Sequence, residues 1–180
     1  MCTMPYYIRK ATKEDLPALW QIYDAVLKRE EDGTGCVGWV RGIYPTEQTL
    51  QQGLDADDLF LLEHDGRPAA VARINRQQMQ AYLQVDWQYK APAEAVLVLH
   101  TLAVDPAKAG YGLGTTFVRF YEQEAVRQKC RYLRMDTNAR NSPARALYQK
   151  LGYREAGVVS CTFNGLADVQ LVCLEKTLSV

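Results

Sequence analysis

One stretch constrains the fold of this chain more than any other. Val96-Leu97-Val98-Leu99-His100-Thr101-Leu102-Ala103-Val104 is almost unbroken apolar sequence, rich in β-branched residues, and it suits a strand buried on both faces. Asp105-Pro106 ends the strand, because a proline cannot donate to a ladder. Gly110, Gly112 and Gly114 follow at alternate positions, and Leu113, Phe117, Phe120 and Tyr121 then lay out a helical stripe. A buried strand, a glycine turn and a helix start together make an anion site. The first helical turn has N–H groups without partners and the positive end of the macrodipole. Glycines let an oxygen-rich group approach the backbone closely and accept positive φ. A phosphate or diphosphate is the expected ligand; the plain alternative is a tight helix start that binds nothing.

Two common phosphate motifs do not fit. A dinucleotide fingerprint G-x-G-x-x-G begun at Gly110 puts Thr115 at its last position, and neither Gly110 nor Gly112 is followed by Gly-Lys at P-loop spacing. What remains resembles the pyrophosphate loop of the GNAT superfamily of acyl-CoA-dependent N-acyltransferases, [Arg/Gln]-x-x-Gly-x-[Gly/Ala] after a strand ending Val-x-Pro. Here the strand ends Val104-Asp105-Pro106 and the loop is Ala109-Gly110-Tyr111-Gly112-Leu113-Gly114. Ala109 stands where the family usually carries Arg or Gln, and Lys108 beside it offers a cation. A second stretch agrees. Asn141-Ser142-Pro143-Ala144-Arg145-Ala146-Leu147-Tyr148-Gln149-Lys150-Leu151-Gly152-Tyr153 is similar to the family's N-x-x-A-x-x-L-Y-x-x-x-G-[Phe/Tyr] element. It reads as a short helix capped by Asn141 or Ser142, with Pro143 in its first turn and Gly152 as its stop. Ala144, Leu147, Tyr148 and Leu151 share one face.

The resemblance implies the GNAT fold, an α/β architecture of α+β type with a mixed, strongly twisted sheet of about six to seven strands flanked by about four helices. It implies acetyl-CoA as cofactor. The backbone edge of Leu102, Ala103 and Val104 would pair with the pantetheine arm. Lys108, Ala109, Gly110, Tyr111, Gly112, Leu113, Gly114 and Thr115 would surround the diphosphate, and Asn141 and Ala144 would touch the arm. Tyr148 matches the family tyrosine that serves as acid toward the thioester sulfur. The implied activity is transfer of an acetyl group to a primary amine of a small molecule or peptide. Such an amine has a pKa near about 10.4, so on the order of one in a thousand is neutral at pH 7 and a base or a desolvating site is needed. His100 and Glu94 are the candidate bases, with a water relay as a third route. His100 in an apolar strand also reads as a hydrogen-bonded core residue. Two other readings stay open: a non-catalytic acyl-CoA-binding or regulatory domain, and an unrelated nucleotide-binding module.

Composition bounds the class. The chain has 180 residues, enough for one domain (1–180) with a real core. Its 21 basic and 21 acidic side chains cancel, which argues against a nucleic-acid partner held by bulk charge. Cys2, Cys36, Cys130, Cys161 and Cys173 are scattered, with no C-x-x-C spacing. No zinc site or other metal centre is expected, and a reducing cytoplasm fits. No apolar run has transmembrane length and no signal sequence opens the chain, so no membrane partner is expected.

Elsewhere, Tyr6–Arg9 reads as a strand. Thr12-Lys13-Glu14-Asp15 opens a helix whose stripe is Leu16, Leu19, Trp20, Tyr23, Val26 and Leu27. This helix is expected to end by Lys28, leaving Glu30, Glu31 and Asp32 in solvent; the alternative is that these acids attract an amine. Gly33 to Tyr44 is irregular, and its Trp39 and Tyr44 are candidates for acceptor contact or for packing under a loop. Pro45-Thr46 begins a second helix, through about Gln52. Leu59–Glu63 and Ala69–Ile74 are strands joined at Asp65-Gly66, with His64 expected to be exposed in the turn. Gln77 to Ala93 reads as an ordered insertion of undetermined structure. A helix over 114–129, a strand over 131–137 and a hairpin turning at Asn164-Gly165 complete the order β-α-α-β-β-(insert)-β-α-β-α-β-β. The last hairpin offers an edge to a second copy.

Overall fold

The structure is a computed structural model, and it describes residues 6–179; Cys2 lies outside the described residues. Seven strands form one sheet: β1 (Tyr6–Lys10), β2 (Leu59–His64), β3 (Arg67–Asn75), β4 (Val96–Val104), β5 (Tyr132–Asn138), β6 (Arg154–Phe163) and β7 (Leu166–Thr177). Their spatial order is β1-β2-β3-β4-β5-β7-β6. The β4–β5 pair is parallel, and the other neighbours are antiparallel. Four helices flank the sheet: α1 (Leu16–Glu31), α2 (Glu47–Asp55), α3 (Leu113–Arg127) and α4 (Ser142–Lys150).

Alternation along β4 explains why its sequence is apolar throughout. Leu97 and Leu99 pack under α3 with Phe117, Val118 and Tyr121. Val96 and Val98 face the other way, under Ala81, Tyr82, Val85 and Trp87 of the insertion. The insertion is therefore a lid of core side chains built on a short 3-10 turn, Gln80–Gln84. Its residues keep no period, which is why its structure is absent from the sequence pattern. Arg134, only 7% exposed, lies with its guanidinium 4.2 Å from the Trp87 ring centroid and donates to Gln78 Oε1 and the Tyr89 carbonyl. Glu175, 1% exposed, accepts from the Gln88 and Tyr89 N–H groups. These buried charges pin the insertion to β5 and β7.

Both expected hairpin turns form, with positive φ at Asp65, Gly66, Asn164 and Gly165. His64 is a correction. It is the last residue of β2, only 3% exposed, and its ring centroid lies 5.2 Å from that of Tyr111. The acids after Lys28 are a second correction, since α1 runs on to Glu31. Glu30 accepts from the N–H groups of Val37 and Gly38, and Glu31 pairs with Arg41. Neither carboxylate is idle in solvent: both tie down the segment between α1 and α2.

Candidate active site

The site starts at the loop after β4. Gly110 and Gly112 have φ of +85° and +72°, and a Cβ at either would meet open space. The backbone therefore turns in the left-handed region beside an unfilled approach. Thr116 is the first residue of α3 whose N–H bonds to a carbonyl, that of Gly112. Among the described residues, the N–H groups of Gly112, Leu113, Gly114 and Thr115 have no partner, and the helix dipole adds positive potential there. Gly114 has a different task from the other two glycines: a Cβ there would stand 3.2 Å from Leu147 Cδ2, so its absence lets α3 lie against α4. Lys108 sits on the same loop, 5.8 Å from the centroid of the exposed Tyr111 ring.

Next to the loop the sheet opens. β4 and β5 are hydrogen-bonded only from Val96↔Tyr132 to Leu99↔Met135. Beyond that point β5 stays on β7 through Asn138, while β4 stays on β3. Two steps along β3, from Val71 to Arg73, span three along β4, from Ala103 to His100. The extra residue is a bulge at Thr101, whose φ is +55°. A wedge opens between Thr101–Val104 and Asp136–Asn138, and the edge of Leu102, Ala103 and Val104 faces it without a strand partner.

Three cavities run through this wedge. An outer one of about 350 Å³ is lined by Val104, Ala109, Cys36, Leu102 and Asn141. A throat of about 90 Å³ lies between Leu102, Asp136, Asn141, Ala144 and Tyr148. An inner chamber of about 560 Å³ lies beyond it, under α2, β3 and the insertion. Leu102, Trp39 and Asn141 border both the outer cavity and the throat. Tyr44, Thr101, Asp136 and Phe163 border both the throat and the chamber.

Asn141 caps α4 with its side-chain oxygen on the Ala144 N–H, and its Nδ2 donates to Thr137 Oγ1. That cap aims the first turn of α4 at the throat and carries Tyr148 into it. Tyr148 is 6% exposed, and its hydroxyl makes no hydrogen bond within the described residues. Burial, with the Asp136 carboxylate as a second cause, pushes its phenol pKa well up, so it stays a protonated donor.

Asp136 is the group that sequence reasoning missed. It lines throat and chamber alike, and burial raises its pKa to about 6, while the hydrogen bond from the Tyr82 hydroxyl opposes that rise. A carboxylate poised there suits a general base. An alternating strand with Asp136 near its end gives no signal of this, because the partner comes from the unpatterned insertion.

The two expected base candidates fare differently. His100 reaches the chamber wall. Its Nε2 is 2.8 Å from Asn75 Oδ1, which also accepts from the Gln77 N–H, while Asn75 Nδ2 donates to Asp58. That chain fixes Asn75 as acceptor and His100 Nε2 as the donor. Burial and then Arg73 lower the His100 pKa to about 4. It is a neutral, engaged ring. Glu94 is exposed, lies in a short 3-10 turn before β4, and borders none of the three cavities. The wedge opens at the opposite end of β4, so Glu94 is not brought to it. Trp39 and Tyr44 do reach the passage: they meet edge to face at 6.2 Å, and the Tyr44 hydroxyl lies 2.5 Å from Thr101 Oγ1. Tyr44 thereby holds the bulge as well as lining the wall.

Sheet, wedge and amide-lined helix start define the class of acetyltransferases built on this fold. Residues 6–153 match the acetyltransferase (GNAT) family. The chain belongs to that family. A GNAT acetyltransferase from Streptococcus agalactiae superposes with a TM-score of 0.82 at 20% identity, covering 99% of this chain and 100% of that one. The ribosomal-protein-S18-alanine N-acetyltransferase of Escherichia coli gives 0.69 at 20% identity, over 98% and 96%. A Salmonella typhimurium protein whose structure holds its cofactor acetyl-CoA gives 0.69 at 17%, over 97% and 94%. No curated protein matches the chain in sequence. No helix among the described residues is long and apolar enough to cross a membrane.

Proposed function

We propose that this chain transfers an acetyl group from acetyl-CoA to a primary amine by direct attack, with both substrates bound at once. The observation that carries the reading is the run of three cavities sharing wall residues from Ala109 to the chamber, with Tyr148 and Asp136 both lining the smallest, middle one. The residues fit the coenzyme. Unpartnered amides from Gly112 to Thr115 would hold its diphosphate, and the free edge of Leu102–Val104 would pair with the amides of its arm. When bound, acetyl-CoA supplies an acetyl thioester.

The chain's own groups handle the protons. Asp136, ionised above about pH 6, accepts the proton of the acceptor nitrogen from the chamber side. Taking it from an ammonium with a pKa of about 10.4 costs about 6 kcal/mol, which fits inside the barrier of about 16 kcal/mol that allows turnover near 10 per second. Desolvation of the amine in the chamber reduces that cost further. Tyr148 holds a proton in the throat for the departing sulfur.

The test is an acetyl-CoA turnover screen over small amines, amino acids and peptides, reading thiol release. Asp136→Asn is expected to lower kcat/KM by about 10²–10⁴-fold and to remove the acid limb of the pH profile. Tight coenzyme binding with no transfer to any amine would make this a non-catalytic binding domain and end the proposal.

A further inference from the structure

Resting on the transferase reading, we infer that the acceptor is an amine on an uncharged, hydrogen-bonding skeleton, and that the chamber discriminates against amines bearing a carboxylate or phosphate. The argument is the charge inventory of the chamber wall. Among the described residues lining it, Arg73 is the one cation and Asp136 the one acid. Arg73 is already paired with a carboxylate, and only its Nη1 is left without a partner among the described residues. Its Nε and Nη2 donate to the two carboxylate oxygens of Asp58 at 2.7 and 2.8 Å, and Asp58 is only 7% exposed. Gly53 of α2 is what lets the arginine lie there, since a Cβ at that position would stand 3.1 Å from Arg73 Cδ and Nε. His100 is neutral and held by Asn75. An anionic group entering the chamber would thus lose water and find as counter-charge only an arginine already neutralised by Asp58, with Asp136 repelling it.

The rest of the wall is built for neutral polar groups. Gln52, Gln77, Gln80 and Asn164 present primary amides that no hydrogen bond within the described residues engages, and Gln78 keeps its NH₂ free while its oxygen accepts from Arg134. Such amides both donate and accept, matching hydroxyls and amides. The volume of about 560 Å³ suits a molecule of monosaccharide or dipeptide size.

The experiment uses matched pairs, serinamide against serine and glycinamide against glycine, with acetyl-CoA and the full chain. Rates are compared per concentration of unprotonated amine, because the amide removes charge and lowers the amine pKa together. Glucosamine and alanyl-alaninamide distinguish hydroxyl from amide skeletons, and turnover of either supports the inference. The neutral member is expected to win by at least about tenfold in kcat/KM. Gln77→Arg, at an exposed wall position, is expected to narrow that gap about fivefold by adding a cation with no carboxylate partner. Asp58→Asn, which frees Arg73, is expected to narrow it in the same direction. Equal or better turnover of serine, with the gap unmoved in Gln77→Arg, overturns the inference and leaves the transferase reading intact. If no amine is acetylated, NMR titration of the CoA-bound chain with the same pairs still decides the preference: tighter serinamide supports it and tighter or equal serine sinks it.

Discussion

The Tyr82 hydroxyl donates to Asp136 Oδ2 at 2.7 Å, joining the insertion to β5 across 54 residues of sequence. The bond favours the ionised carboxylate and partly offsets the burial that raises its pKa. Tyr82→Phe removes the bond and keeps the ring against Trp87. The acid limb of kcat/KM is expected to move up from near pH 6 by about one pH unit, while activity on the alkaline plateau changes little. A limb that stays in place would show that Asp136 is not the titrating base.

Asp136 also links pH to stability. Its folded pKa of about 6 stands above the ordinary carboxyl value of about 3.8, so folding favours its protonated form. That contribution is complete below about pH 4 and is lost as pH rises through 6. Asp136→Asn mimics the neutral form, and thermal unfolding is expected to show the variant gaining several degrees on the parent at pH 8 but not at pH 4. An equal offset at both pH values counts against the burial cost.

Tyr148→Phe keeps the packing of the ring against Tyr153 and deletes the proton. We expect kcat to fall about 10²-fold with the Kd for acetyl-CoA changed by less than about twofold. A loss confined to coenzyme affinity would make Tyr148 a wall residue.

His100→Ala separates the two chamber groups. Since the His100 pKa is lowered to about 4 and its Nε2 is committed to Asn75, the acid limb near pH 6 should survive. The melting temperature should drop by a few degrees as Asn75 Oδ1 loses one of its two donors and the buried ring leaves a cavity. Disappearance of the limb would return the base to the histidine.

The glycines divide by task. Gly112→Ala strains a residue at φ +72° by about 1 kcal/mol and is expected to raise the KM for acetyl-CoA roughly fivefold. Gly114→Val instead presses on Leu147, costing about 1–3 kcal/mol of stability, read as a lower melting temperature. The reverse assignment, coenzyme affinity following Gly114 alone, would contradict the roles given to these two positions.

Local chemistry made much of this legible. The β4 strand, its proline stop, the glycine turn and the Asn141 cap each act over a few residues, so their sequence carries them. His64 and the acids of α1 misled for the same reason: a turn residue and a charged run read as solvated until a partner arrives from afar. For His64 that partner is Tyr111, and for Glu30 it is the backbone of Val37 and Gly38. Glu94 precedes β4 by two residues, yet the wedge lies at the far end of the strand, after Leu99.

By itself the sequence determined that a buried strand feeds a glycine turn and a helix start with unpartnered amides, and that a capped helix carries a tyrosine further on. These are consequences of backbone donors, proline, glycine and helical period, all short-range. Only the tertiary structure decided where β4 and β5 part, that Asp136 rather than Glu94 stands in the gap, and that Asp58 neutralises Arg73 in the chamber. Such facts rest on pairings between distant segments, whose electrostatics depend on burial that no local pattern encodes.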